Sequence, residues 1–309
     1  MMYSVVIPVF NSRDTVSATI ADVRAFFESR NEEFEIILVN DGSRDDSWEI
    51  IRREASHDAR LTAINFIKNY GQHNAVLCGM ANARGEHVIT MDDDGQNPAA
   101  EIRHIIDKAG EGHDVVFGEF EHKMHGIMRR LGSRIVDRLN RKIFGKPQDL
   151  VLTNFRIIKR DVVDRVLATG AGHPYIPGLL LMHASSLANV RVRHESRTTG
   201  KSNYTPYRIA SLVARLLFNY SSYPLRLCTT VGFTVSLLSF TAGCFYLGRA
   251  LLVGTSAPGF PTIVILLSFL NGFVIMLLGM MGEYVIRILT QTSGYPSYIV
   301  KEKYRRGAT

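Results

Sequence analysis

Met91-Asp92-Asp93-Asp94-Gly95-Gln96-Asn97-Pro98 is the stretch on which the reading of this chain turns. An apolar β-type run, His87-Val88-Ile89-Thr90-Met91, leads into it. Pro98, suited to the first turn of a helix, closes it, with Glu101 in that same turn. Three carboxylates therefore stand at the C-terminal end of a predicted strand. In open α/β sheets that edge is where ligands bind. Acids side by side repel one another unless a cation compensates them. Carboxylates with an amide oxygen two residues on make a hard donor set, suited to Mg²⁺ or Mn²⁺. A magnesium ion so held ordinarily shares its shell with substrate phosphates. The plainer reading, a solvated acidic turn, is weakened by the strand before it and the helix after it.

Outward from the triplet the same pattern recurs. Ser4-Val5-Val6-Ile7-Pro8-Val9-Phe10 reads as a buried strand whose end is marked by Pro8, because proline cannot donate to a ladder. A helix from about Asp14 would place Val16, Ile20, Val23 and Phe27 on one face. A second strand, Phe34 to Val39, precedes the turn Asn40-Asp41-Gly42-Ser43 and a helix that Asp45 or Asp46 can cap. A third strand, Leu61 to Phe66, leads into the loop Asn69-Tyr70-Gly71-Gln72-His73 and a helix through Ala83. Beyond the triplet come a helix from Pro98 to about Lys108 and a strand from Asp114 to Gly118. This alternation predicts an α/β fold, a mostly parallel sheet with helices on both faces and polar loops gathered at one edge. Neither GxGxxG nor GxxxxGK[ST] occurs, so dinucleotide and P-loop readings lose their main support. Further on, His125 to Phe144 reads as an amphipathic basic helix, Phe155 to Ile158 as a strand and Asp161 to Ala168 as a helix.

The average composition, 46% hydrophobic and 21% charged, conceals a split. Residues 1–226 read as soluble and 227–289 as lipid-embedded. Cys228 to Gly248 carries no charge, and neither does Ala250 to Gly282, apart from the turn Ser256-Ala257-Pro258-Gly259 that interrupts it. Each side supplies the ~20 apolar residues that a helix needs to cross a bilayer. The pair reads as a transmembrane hairpin with both chain ends on one side. Lys301, Lys303, Arg305 and Arg306 in the tail make that side cytoplasmic by the positive-inside rule. Pro206 to Phe218 is amphipathic and suits a helix lying in the membrane interface. The net charge of +7 is concentrated beside these spans: Arg191 to Arg226 holds seven basic residues and one acid. That placement favours an anionic membrane surface as partner and argues against nucleic acid. Three cysteines, with no CxxC pair, indicate neither a zinc site nor a disulfide framework. The N-terminus enters a strand at once, so no signal peptide is expected. Gly272, Gly279 and Gly282 would suit helix association, which leaves a homo-oligomer open.

Taken together, these stretches resemble the membrane-anchored, family 2 (GT-A fold) glycosyltransferases that load a sugar onto a polyprenyl phosphate. The resemblance is carried by Val6-Ile7-Pro8-Val9-Phe10-Asn11, Asn40-Asp41-Gly42-Ser43, Asn69-Tyr70-Gly71-Gln72-His73 and Asp92-Asp93-Asp94-Gly95-Gln96-Asn97-Pro98. Arg129-Arg130-x-x-Ser133, Phe155-Arg156, Arg197-x-x-Gly200-x-Ser202-x-Tyr204 and Tyr223-Pro224-Leu225-Arg226 extend it, as do Gly282-Glu283-Tyr284 and Tyr295-Pro296-Ser297-Tyr298 near the end. It covers essentially the whole chain, and the order and spacing of the pieces are more specific than any one of them. The branch it most resembles transfers a formylated aminoarabinose to undecaprenyl phosphate, with glucosyl and mannosyl branches remaining open.

The resemblance implies roles residue by residue. Pro8, Phe10 and Asp41 line the base and ribose pocket of a nucleotide-sugar donor, a UDP-sugar first, and Asp92 and Asp93 also bind that donor. Asp92 and Asp94 form the metal motif, completed by Gln96, for Mg²⁺ or Mn²⁺. Arg129 and Arg197, with Ser133, meet the donor diphosphate or the lipid phosphate, and Arg130, Arg156, Lys201 and Ser202 belong to the same phosphate and lipid surface. Catalysis falls to Asp94, Arg129 and Arg197. The chain departs from the family pattern at Asp93, Gly95, Asn40 and Asn154. The expected organisation is a catalytic domain over 1–204, interfacial helices over 205–226, the hairpin over 227–289 and a basic tail over 290–309. The implied location is the bacterial cytoplasmic membrane, multi-pass, with the catalytic domain and both termini in the cytoplasm. The competing function is a non-catalytic membrane scaffold with a decayed transferase domain, against which the retained Asp92, Asp94 and Gln96 argue. A processive polysaccharide synthase of the same fold ordinarily needs more spans than two.

Overall fold

The computed structural model describes residues 1–120, 127–170, 172, 174–193, 259–292 and 296–307, with scattered positions between 210 and 252. It divides into two compact units, Met1–Thr205 with Pro296–Thr309, and Pro206–Tyr295.

In the first unit the chain alternates as its apolar pattern dictates: β1 (Met2–Val9), α1 (Val16–Ser29), β2 (Glu33–Asn40), α2 (Ser47–His57), β3 (Leu61–Phe66), α3 (Gln72–Asn82) and β4 (His87–Thr90). A single turn of 3₁₀ helix, Ala99–Glu101, leads into α4 (Ile102–Ala109), followed by β5 (Val115–Phe120) and α5 (Ile127–Phe144). Next come β6 (Arg156–Lys159), α6 (Arg160–Ala168), α7 (Ile176–His183) and β7 (Leu187–Val192). After the second unit, β8 (Val300–Arg305) returns to the first.

Among the described residues the strands form one sheet in the order β7-β5-β6-β4-β1-β2-β3-β8. Helices α1, α2 and α4 cover one face, and α3, α6 and α7 the other. Strands buried on both sides need apolar residues at every position, which is why β1 and β2 read as unbroken hydrophobic runs. Val5, Ile7 and Val9 join Ile36 and Leu38 beneath Ile20, Val23 and Phe27 of α1, while Val6, Ile37 and Val39 are equally buried on the other face. There α3 lies so close that a Cβ on Gly79 would stand 2.2 Å from Val6 Cγ1. One buried charge is stitched into this core. Glu35 accepts hydrogen bonds from Ser4 Oγ at 2.8 Å and from Arg84 N, Nε and Nη2 at 2.7, 2.9 and 2.6 Å.

Three features differ from the expectation. The sheet is mixed rather than mostly parallel: β6 lies antiparallel between β4 and β5, and β8 runs antiparallel to β3. Pro8 lies inside β1, not at its end, paired in register with Val39. Its missing N–H is harmless there. Val6 faces β4, as its carbonyl accepts from Met91, and two residues on, Pro8 lies past the last β4 pair, Val6 with Thr90. Finally, the tail is not a separate segment, since β8 extends the sheet.

In the second unit, α8 (Phe260–Thr292) runs for 33 residues, about 50 Å at 1.5 Å per residue. Its stretch Phe269–Ile286 is long and apolar enough to cross a membrane and is not covered by protein. It is the one such helix among the described residues. Much of the expected first span and of the interfacial segment lies outside the described residues. At the positions that are described, the Tyr284 hydroxyl donates to the Ser221 carbonyl at 3.4 Å. A Cβ on Gly232 would stand 2.7 Å from Phe273 Cε1. Going forward from 221 to 232 thus goes back from 284 to 273, which is antiparallel packing.

Candidate active site

The order β3-β2-β1-β4 contains a topological switch. The chain steps outward from β1 to β3, then crosses back to place β4 on the other side of β1. Loops leaving β1 and β4 therefore diverge and open a crevice at the C-terminal ends of the strands, where α/β sheets bind ligands. The Asp92-Asp93-Asp94 triplet follows β4, Phe10 follows β1, Asp41 follows β2 and the Asn69–Gln72 loop follows β3.

The loops after β1 and β2 are sewn together. Asn11 adopts a left-handed φ of 53°, which asparagine tolerates better than most residues. Its N–H donates to Ser43 Oγ at 3.0 Å and its side-chain oxygen accepts from Arg44 N at 2.8 Å. Ser12 N donates to Ser47 Oγ and Arg13 N to Asp45. Asp45 also accepts from Ser47 N, the first amide of α2, whereas Asp46 holds the N-cap position without a side-chain hydrogen bond. The loops after β2 and β3 meet at Gly42, where φ is +65° and a Cβ would stand 2.5 Å from the Lys68 carbonyl carbon. Buried Asp41 accepts from Tyr70 N at 2.7 Å and Gly71 N at 2.9 Å. Burial raises its pKa, and those two amides oppose the rise.

The three acids of the triplet do different things. Asp92 Oδ1 accepts from Gln72 Nε2 at 2.6 Å and Asn154 Nδ2 at 3.4 Å. Asp93 turns toward β1, where Phe10 N donates to it at 3.2 Å, and its carbonyl accepts from Thr19 Oγ1 at 3.4 Å. Asp94 accepts from Gln96 N at 3.1 Å, which folds the backbone so that Asp94 and Gln96 share one turn. Burial pushes the Asp92 carboxyl up to about 6, with the charge of Asp94 adding to the shift. Burial, and then the charge of Asp92, push Asp93 up to about 7. The crevice thus gathers several carboxylate oxygens at one edge, and a hard divalent cation fits that donor set. Among the described residues no three His, Cys, Asp or Glu side chains converge as a closed metal cluster.

Sequence reasoning and geometry part company at Arg156. The side chain is fully buried, with Nε donating to Thr90 Oγ1 at 3.1 Å and Nη1 to the Thr153 carbonyl at 3.3 Å. It acts on Asp92 as a buried positive charge. A guanidinium so enclosed is not on a phosphate-binding surface, and its place is beneath the carboxylates. Pro8 is buried within β1, whereas Phe10 is exposed at the strand's end. Ser133 is exposed on α5, and the backbone of Arg129 and Arg130 belongs to that helix. Arg197, Lys201 and Ser202 lie outside the described residues. Gln72 and Asn154, which hold Asp92, were absent from the expected site, although Gln72 stands in a stretch that carried the resemblance and Asn154 was noted as a departure beside another.

A mixed sheet with an acidic crevice at its switch point is the scaffold of a glycosyltransferase of the GT-A type. The comparison of families agrees, since the model of glycosyl transferase family 2 matches residues 4–167. The chain belongs to that family. It is 32% identical over 306 residues to an undecaprenyl-phosphate 4-deoxy-4-formamido-L-arabinose transferase of Pseudomonas syringae pv. syringae (strain B728a), covering 98% of this chain and 90% of that one. It is 29% identical to the SfII prophage-derived bactoprenol glucosyl transferase of Shigella flexneri, with 99% of each chain covered. Among solved structures, glucosyl-3-phosphoglycerate synthase from Mycobacterium tuberculosis, in complex with Mn²⁺, UDP and product, shares the fold at a TM-score of 0.52 and 18% identity, over 70% of this chain and 77% of that one.

Proposed function

We propose that this protein transfers a sugar from a nucleoside-diphosphate donor, a UDP-sugar first, to polyprenyl phosphate, undecaprenyl phosphate above all. The product is a lipid-linked sugar for modification of cell-envelope glycans. The observation that carries the reading is the convergence of Phe10, Asp41 and the Asp92–Asp94 triplet at the switch point of a family 2 sheet. The acceptor follows from two near-full-length relatives, one named for undecaprenyl phosphate and the other for bactoprenol.

In this reading Phe10 and Asp41 flank the nucleoside. Asp92, Asp94 and Gln96 would hold Mg²⁺ or Mn²⁺, which when bound acts as a Lewis acid on the leaving diphosphate. Gln72, Asn154 and Arg156 keep Asp92 in place. A phosphate oxygen of the acceptor attacks the anomeric carbon, the bond to the nucleoside diphosphate breaks, and the configuration inverts. A phosphate monoester is already anionic near neutral pH, with a second pKa of about 6, so it needs no strong general base. Arg129, Arg197 and Ser133, with Arg130, Lys201 and Ser202, would clamp the acceptor phosphate, the guanidinium forks matching its geometry.

We place the enzyme in the bacterial cytoplasmic membrane with its transferase unit and both termini in the cytoplasm. The basic tail, the length of α8 and the antiparallel contacts around Gly232 and Ser221 support a two-helix hairpin. The test is incubation of purified protein with a panel of nucleotide sugars and polyprenyl phosphate, read by mass spectrometry of the lipid. A glycosyl-phosphoryl lipid from one donor is expected, and no product from any donor would defeat the reading.

A further inference from the structure

Immediately after α8 the chain returns to the first unit, and there Tyr298 touches both stems of the loop joining β3 to α3. Its ring stacks on Phe66, the last residue of β3, with centroids 5.0 Å apart and planes at 18°. Its hydroxyl neighbours the thiol of Cys78 on α3. Next to it, the Ile299 carbonyl accepts from Ile67 N, the first amide of the loop, at 3.2 Å. Phe66 in turn meets the ring of Tyr70 edge-on at 5.7 Å. Farther along the tail, β8 pairs with β3, and Lys303 Nζ donates to Asn82 Oδ1 at the other end of α3 at 2.7 Å.

The loop held in this way is the one that orients two acids of the candidate site. Tyr70 N and Gly71 N donate to Asp41, and Gln72, the first residue of α3, donates to Asp92. We propose that the C-terminal segment, through Tyr298, is a positioning element of the donor site, holding the Asn69–Gln72 loop so that Asp41 and Asp92 keep the orientations that a nucleoside diphosphate needs. This rests on the reading of the site given above. Tyr298 itself touches neither carboxylate. It acts through Phe66, Tyr70 and α3, and its removal should loosen the loop without disturbing the sheet.

The experiment uses the full-length protein in lipid nanodiscs and the variants Tyr298→Ala and Tyr298→Phe. Hydrogen exchange reads the amides of Tyr70 and Gly71, and calorimetry reads the affinity for UDP in the presence of Mn²⁺. In Tyr298→Ala those amides should exchange about tenfold faster, the scale of a lost aromatic stack. Amides of β1 and β2 should be unchanged, and the Kd for UDP should rise by about the same factor. Tyr298→Phe keeps the stack and should stay within about twofold of wild type on both counts. Unchanged exchange in the loop of Tyr298→Ala overturns the proposal, and so does faster exchange with unaltered UDP affinity. Faster exchange throughout the sheet makes Tyr298 an ordinary fold residue and also counts against it. A wild-type chain that forms no product with any donor defeats the reading of the site instead, and the exchange of the two amides still decides whether the tail holds the loop.

Discussion

Asp92 and Asp93 are neighbours in sequence with opposite duties. Asp92 points toward Gln72 and Asn154, whereas Asp93 braces the end of β1 through Phe10 N. The triplet was legible in the sequence because three adjacent acids after an apolar run are a local signal. The partners of Asp92 were not, because Gln72 and Asn154 are 20 and 62 residues away and only the sheet brings them there. Two outcomes are expected at this scale. Asp94→Asn keeps the size of the side chain and removes its charge, so the protein should remain folded while sugar transfer falls at least about 100-fold, as loss of several kcal/mol of charge stabilisation requires. Transfer near the wild-type rate in that variant, or in excess EDTA, would remove the metal from the reading. Gln72→Ala should weaken Mn²⁺ binding or transfer by about 10- to 100-fold, the usual cost of losing a group that orients a metal ligand. A Mn²⁺ titration that superimposes on wild type would leave Gln72 as a surface residue.

Elements were legible in proportion to their burial. β1, β2 and β3 are apolar on both faces, and their predicted bounds came within one or two residues. β6 was foreseen as a strand, but no residue in Arg156–Lys159 encodes that it runs antiparallel between β4 and β5. β8, Val-Lys-Glu-Lys-Tyr-Arg, read as a basic tail because it is an exposed edge, and charges on an edge strand discourage further pairing. The element that ties the centre of the sheet together is β2, through Glu35. Its carboxylate is buried, while the Arg84 side chain is half exposed. Replacing it with leucine strips Ser4 and Arg84 of their acceptor. Glu35→Leu should therefore cost about 3 kcal/mol. In a unit of this size that lowers the thermal midpoint by roughly 6–12 °C. A differential scan in detergent checks it, and an unshifted midpoint would mean that water replaces the carboxylate at no cost.

At the scale of the whole molecule, the pairing of β8 with β3 constrains the membrane topology more tightly than hydropathy does. Met1–Thr205 and Pro296–Thr309 form one folded unit with a continuous sheet. If the second unit lies in a bilayer, as proposed, its two ends must therefore emerge on the same side. A single crossing by α8 would separate them, since a strand on one side cannot pair with a sheet on the other. If α8 crosses, the chain between Thr205 and Phe260 must cross an odd number of times, and the length available there favours one. The charge-free run Cys228 to Gly248 is the segment proposed to do it, and Gly232 within it packs against Phe273 of α8. In the proposed topology the excess of lysine and arginine in the tail would put the shared side in the cytoplasm. A fluorescent protein fused after Thr309 should therefore fold and fluoresce, while alkaline phosphatase at the same position should be inactive. A cysteine introduced as Ser256→Cys, in the turn between the spans, should react with a membrane-impermeant maleimide added to intact spheroplasts. An active phosphatase after Thr309, with Ser256→Cys unreactive from outside, would invert the orientation. An active phosphatase together with a cytoplasmic transferase unit would mean a single span and would break the β3–β8 pairing on which the argument stands.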